Sequence, residues 1–202
     1  EDGAQVGGDT FGAGKGGNVS VNATDIEIIG TSSNGNTPSS LSASAGKEST
    51  GDAGNVNITT TDMLVRDGAF VAASTEGAGN GGDLNINAQN LEIIGVGGEN
   101  PGNNNLPYFS GLFTSAESQS TGGNAGDLTI NTKDMLVEGG ALVAAGTFSS
   151  GDGGNLTVNA SDVQLIGMGN NSQFDTALFA RVAEGATGDG GNLEVNTNTL
   201  SI

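Results

Sequence analysis

The apolar residues of this chain come in pairs split by one intervening residue, and the pairs come in three sets. The first set reads Val19/Val21, Val56/Ile58, Leu84/Ile86, Leu128/Ile130, Leu156/Val158 and Leu193/Val195. The second follows a few residues later: Ile26/Ile28, Met63/Val65, Leu91/Ile93, Met135/Val137, Val163/Leu165 and Leu200/Ile202. The third is Leu41/Ala43, Ala69/Val71, Leu112/Thr114, Ala141/Val143 and Leu178/Ala180, and it precedes each new round. A period of two puts each pair on one face of a short strand. No stretch sustains a 3.6-residue period, so the pattern predicts essentially no helix.

A glycine-rich corner introduces each first pair: GAGKGGN (12–18), GDAGN (51–55), GAGNGGD (77–83), GNAGD (123–127), and GDGGN at both 151–155 and 188–192. Each corner ends in an amide or carboxylate, giving the anchors Asn18, Asn55, Asp83, Asp127, Asn155 and Asn192. Their spacings are 37, 28, 44, 28 and 37, so long and short units alternate. Self-similarity on this scale is the signature of a solenoid, in which no unit can bury its apolar face alone. The predicted fold is all-β: a parallel β-helix over 1–202, with about six three-stranded coils. At about 4.8 Å per coil the stack would rise roughly 29 Å. A β-sandwich also uses short alternating strands, but it does not predict a glycine corner that recurs in register.

The first corner imitates chemistry. Gly12, Gly14 and Gly17 fit G-x-G-x-x-G, and Lys15 sits where a phosphate-binding lysine could. Across the six units, however, that place reads Lys15, Asp52, Asn80, Asn124, Asp152, Asp189. Aspartate has no business beside a phosphate, and Gly16 stands where a P-loop needs Ser or Thr. The glycines read instead as a tight corner that needs positive φ and close backbone approach.

Composition narrows the function. The chain has 23 acidic and 5 basic residues, hence a net charge of −18, and 37 of its 202 residues are glycine. That charge repels nucleic acid, whose binding needs clustered Lys and Arg. There is neither cysteine nor histidine, which removes disulfides, zinc sites and Ser-His or Cys-His catalysis. β-Helices can carry polysaccharide lyases and hydrolases, which require paired carboxylates at a set separation and, for lyases, a nearby base. Lys15, Lys47, Arg66, Lys133 and Arg181 fall in different coils and registers, and nothing converges. No catalytic, cofactor or metal residue is assigned, and the chain reads as a non-enzyme.

The surface offers three features. Extra length in the long coils falls at 30–40, 95–111 and 167–176, holding Pro38, Pro101, Pro107, Tyr108, Phe109 and Phe174. These aromatics either present a recognition surface or fold back over apolar ground. On the third strand the outward position reads Ser42, Phe70, Phe113, Leu142, Phe179, a ridge suited to lateral contact or to cover by the loops. Carboxylates also stack: Asp25 on Asp62, Asp83 on Asp127, Asp134 on Asp162, and Asp152 with Asp189. Ca²⁺ would relieve their repulsion, making a calcium-stabilised binding module one alternative. Calcium rolls, though, repeat their glycine motif in immediate succession, and Asn and Asp are ordinary turn and ladder residues. Structural use is the preferred reading.

Joined tail to head, the ends read NTLSI-EDGAQV, which matches TDMLV-RDGAFV (61–71) and KDMLV-EGGALV (133–143). The expectation is of open ends in mid-coil, either within a longer solenoid or in a module that stacks head to tail on itself.

The stretch GNAGDLTINTKDMLVEGGALVAAGTFSSGDGGNLTVNASD (123–162) resembles the repeat region of filamentous-haemagglutinin-like exoproteins. The likeness covers nearly the whole chain outside the three long loops. It implies a right-handed parallel β-helix belonging to a two-partner-secretion passenger, exported through an outer-membrane β-barrel partner. It further implies an extracellular or cell-surface protein, structural or adhesive, whose ligand would be a host surface, matrix or glycan. The family's secretion domain is not visible in this sequence.

Overall fold

In the computed structural model, which describes residues 1–100, 106–117, 122–167 and 174–202, three parallel six-stranded sheets run the length of the molecule. The first sheet comprises β2 (Val19–Asn22), β5 (Val56–Thr59), β8 (Leu84–Asn87), β13 (Leu128–Asn131), β16 (Leu156–Asn159) and β19 (Leu193–Asn196). The second comprises β3 (Asp25–Ile29), β6 (Asp62–Arg66), β9 (Asn90–Ile94), β14 (Asp134–Glu138), β17 (Asp162–Ile166) and β20 (Thr199–Ser201). The third comprises β1 (Gln5–Gly7), β4 (Ser40–Ser42), β7 (Phe70–Ala72), β12 (Gly111–Phe113), β15 (Leu142–Ala144) and β18 (Ala177–Phe179). The chain visits the sheets in rotation, one strand each per turn, and so winds a three-sided parallel β-helix. No helix occurs among the described residues.

In the first and second sheets register follows the sequence repeat residue for residue. Leu128 stands between Leu84 and Leu156, and Ile130 between Ile86 and Val158. Val65 stands between Ile28 and Ile93. These inward columns form one core, and Ile58, Leu84, Ile86, Leu128, Ile130 and Leu156 lose all contact with solvent. The third sheet departs from the sequence pairing. Leu41, Val71, Leu112, Val143 and Leu178 share the inward column, so Ala69 and Ala141 belong two residues before the place that repeat matching gave them. A slip of two keeps every side chain on its own face, and only the columns change.

The glycine corners are explained by contact. A Cβ on Gly126 would run into the carbonyl of Gly82, and a Cβ on Gly154 into that of Gly126. The same collision repeats along a second column, where Gly79 meets Gly51, Gly123 meets Gly79, and Gly151 meets Gly123. Each corner lies directly on the corner below, closer than any side chain permits. Positive φ plays no part here. It is found instead in the short-coil turns from second to third sheet, at Asp2-Gly3, Asp67-Gly68 and Gly139-Gly140, in the long loops at Gly30, Gly35 and Gly95, and at Gly185.

The corner reading has a direct check. Gly126→Ala should cost roughly 1–3 kcal/mol, the usual range for forcing atoms into filled space. Gly14→Ala, in the first corner where a Cβ meets nothing within 4 Å, should stay within about 0.5 kcal/mol of wild type. Equal losses in chemical denaturation would refute the steric account.

Candidate functional site

The three outward faces differ in chemistry. The second sheet carries almost all the charge of the strands: Asp25, Glu27, Asp62, Arg66, Glu92, Asp134, Glu138 and Asp162. The first sheet presents Ser20, Asn57, Asn85, Thr129 and Thr157 in one column and Asn22, Thr59, Asn87, Asn131, Asn159 and Asn196 in the next, with Glu194 its one ionisable residue. The third sheet carries no ionisable side chain at all.

On the acidic face, charge is broken up within the column. Asn90 stands between Asp62 and Asp134 and donates from Nδ2 to Asp62 Oδ1 at 2.6 Å. Lys133 pairs with Asp134 at 3.1 Å, and Gln164 Nε2 donates to Asp162 Oδ1 at 3.1 Å. Leu64 and Leu136 alternate with the glutamates of the neighbouring column, between Glu27 and Glu92 and after Glu92. Two shallow depressions of about 280 and 320 Å³ follow this face, the first reaching Asp25, Glu27 and Leu64, the second Glu92, Asp134 and Leu136. Among the described residues, no three acidic side chains converge as a metal site would require.

The corner carboxylates have a structural occupation. Each anchor side chain accepts the backbone N–H of the anchor in the next coil: Asn18 from Asn55 at 2.9 Å, Asn55 from Asp83 at 3.0 Å, and Asp83 from Asp127 at 3.0 Å. Asp127 accepts from Asn155 at 2.8 Å, and Asn155 from Asn192 at 2.9 Å. A parallel ladder runs through the position of Lys15: Asp52 accepts from Asn80, Asn80 from Asn124, Asn124 from Asp152, and Asp152 from Asp189. Only an acceptor oxygen is needed, which is why Asn and Asp interchange freely while the backbone N–H is satisfied. The first sheet adds a third ladder, in which Asn131, Asn159 and Asn196 each donate from Nδ2 to the Oδ1 of the preceding coil.

The long loops lock onto the short turns. Ser39, Ser110 and Thr176 close successive loops, and their hydroxyls accept the N–H of Gly3, Gly68 and Gly140 at 3.0, 2.9 and 2.8 Å. Ser39 and Thr176 pass the bond on, donating to the carbonyls of Ile29 and Ile166. The 95–111 excursion forms an antiparallel hairpin of β10 (Val96–Glu99) and β11 (Pro107–Phe109). Its Tyr108 Oη donates to the Asn36 carbonyl at 2.9 Å, and Phe109 meets Phe174 edge to face at 5.4 Å. Thus Tyr108, Phe109 and Phe174 are half-buried against neighbouring loops across the short coils. Pro101 and most of the 167–176 loop (168–173) lie outside the described residues. The signal for the lock was present in the sequence, because the place before the third strand alternates Ala4, Ser39, Ala69, Ser110, Ala141, Thr176.

The third-sheet ridge divides into two columns. Phe70 and Leu142 stand with Ser40, Gly111 and Ala177, whereas Phe113 and Phe179 stand with Ser42, Ala72 and Ala144. All four large residues keep the outward face and are half-buried. Phe70 and Phe113 contact edge to face at 6.3 Å, and the Arg181 guanidinium lies 4.2 Å from the Phe179 ring centre and 5.6 Å from that of Phe148.

Glu76 and Glu117 occupy one place in consecutive coils, each just after a residue of the Thr75–Ala116 bridge. Protein packed around the Glu117 carboxyl pushes it up to about 7, and the Glu76 carboxylate adds to this. The residue nevertheless keeps open surface, which weakens the first cause through solvent screening.

No protein-family profile, curated protein or solved structure matches this chain.

Two measurements test these assignments. Asp127→Ala removes an acceptor and should cost about 1 kcal/mol, while Asp127→Asn preserves the ladder and should be near neutral; equal losses would deny the ladder its role. For Glu117, the folded state holds the proton more tightly than the unfolded chain. Its contribution is therefore present below the ordinary glutamate range and is lost as pH rises toward about 7. Glu117→Gln should raise the Tm at pH 8 and leave it unchanged near pH 4, and a gap of one size at both pH values would exclude the charge as the cause.

Proposed function

We propose that this chain is a structural or adhesive β-solenoid working outside the cell, as part of a long stalk or fibre built by coaxial coil stacking. The observation that carries the reading is the stack itself: equivalent residues lie over one another through three sheets, and the outermost strands still offer edges. Inward-column residues that are sealed in the middle coils are open there, with Val6 at 59%, Leu193 at 45% and Leu200 at 48% exposure. A further coil, from continuing chain or from another copy, would cover them and pair the bare strand edges. The resemblance to filamentous-haemagglutinin-like repeats supports export through an outer-membrane partner, and the cysteine-free, strongly acidic composition agrees with a surface location. Adhesion would then belong to the outward faces, toward a host surface, matrix or glycan.

The test uses the native protein in its own cells. Protease treatment of intact cells should remove it, and electron microscopy of released material should show rods with a coil-to-coil rise of about 4.8 Å along the axis. Protection from external protease together with compact particles would overturn the reading. Turnover of a polysaccharide by the purified protein would replace it with an enzymatic one.

A further inference from the structure

We propose that Asn34 is a self-modifying residue. The Gly35 nitrogen attacks its side-chain amide, which leaves as ammonia and gives way to aspartate or isoaspartate, while the chain's other Asn-Gly pair is held inert by the coil stack. The inference needs only the loop geometry and stands apart from the extracellular reading.

The sequence nominates two positions, Asn34-Gly35 and Asn80-Gly81, because glycine leaves the attacking nitrogen unshielded by a side chain. At Asn80 the stack blocks the attack. The Gly81 N–H donates to the Asn124 carbonyl of the next coil at 2.8 Å. Asn80 is fixed from both sides, its N–H by Asp52 and its Oδ1 by the Asn124 N–H. Freeing that nitrogen means separating coils. Asn34 instead stands at the exposed tip of the 30–40 loop. There the Gly35 N–H donates to the Ser32 carbonyl at 2.7 Å, a bond within one turn that opens without disturbing the sheets.

The loop tip also supplies the chemistry. Ser32 Oγ donates to Asn34 Oδ1 at 2.7 Å, and the Asn36 N–H donates to the same oxygen at 3.1 Å. Ser32 Oγ is itself aimed by the Thr37 N–H, which it accepts at 3.0 Å. When a nitrogen attacks Cγ, negative charge develops on Oδ1, and two donors already in place stabilise it as an oxyanion hole does. The Gly35 N–H yields its proton to hydroxide, the new N–Cγ bond closes a succinimide ring, and Nδ2 leaves as ammonia after taking a proton from water. Water then opens the ring at either carbonyl. The sum is one water consumed and one ammonia released, with no change of oxidation state.

The isoaspartate product routes the main chain through Cβ, one carbon longer than before. This happens two residues before Asn36, whose carbonyl accepts from Tyr108 Oη at 2.9 Å. The modification therefore loosens the clasp between neighbouring long loops.

The folded 202-residue chain is incubated in mildly alkaline buffer and mapped by peptide mass spectrometry. Asn34 should convert from amide to acid while Asn80 stays intact, and in denaturant both should convert. Ser32→Ala is the decisive variant, since it loosens the turn yet removes an oxyanion donor. It should slow conversion at Asn34 about tenfold or more. Tyrosine emission reports Tyr108 alone, because the chain has one tyrosine and no tryptophan, and it should change in step with isoaspartate. An Asn34 that stays intact, or an Asn80 that converts as fast in the folded chain, would overturn the proposal. So would a Ser32→Ala chain that converts at the wild-type rate or faster, because a merely loose loop behaves that way. Emission that stays constant while isoaspartate accumulates would overturn the coupling to the clasp.

Discussion

Parallel stacking in register is the constraint on which everything else in this molecule depends. Once each residue lies about 4.8 Å above its equivalent, no position can be chosen alone, and the chemistry of a column becomes the unit of selection. Apolar columns seal the core from Val56 to Val163. Glycine columns permit corners to lie carbonyl upon Cα. Amide and carboxylate columns hand a hydrogen bond from coil to coil. A charge repeated in every coil would repel along the column, and on the acidic face Asn90 and Lys133 interrupt or neutralise it.

The winding, the three sheets and the core columns were legible because they depend on local period and recurrence, both of which survive in the bare sequence. The anchors Asn18 to Asn192 were found for the same reason. What they do was only half visible, since an acceptor ladder and a calcium site use the same residue types. The distances show the ladder, because the N–H of the next coil lies 2.8 to 3.0 Å from an anchor oxygen that Asn and Asp supply alike. The third sheet was misaligned by two residues because Ala69 and Ala141 look as apolar as Leu41. Sequence similarity cannot tell a buried turn residue from a buried strand residue when both are small. The clasp of Tyr108 on Asn36 joins residues 72 apart and leaves no local trace. The alternating Ser, Thr and Ala before the third strand did leave one.

The faces divide the labour. The second sheet takes nearly all the strand charge. The first is a lattice of hydroxyls and amides, much of it bonded within itself. The third is neutral and apolar, with Arg181 laid across its last phenylalanine. The aromatic loops, which invited a recognition role, bond to one another and to the short turns, which shifts the search for contacts from the loops to the flat faces.

The lock between long loops and short turns sets a unit of growth. A hydroxyl from one kind of coil satisfies the glycine N–H of the other kind, and Thr10, Ala45, Thr75, Ala116 and Thr147 alternate along the bridging column in step with it. Removal of a single coil would place two coils of one kind together, leaving a glycine N–H without its hydroxyl if a long coil is lost, or a hydroxyl without its glycine if a short one is. Removal of a neighbouring pair restores the order. A solenoid of this design therefore lengthens or shortens by duplication and loss of coil pairs, and its ancestry should be counted in twos.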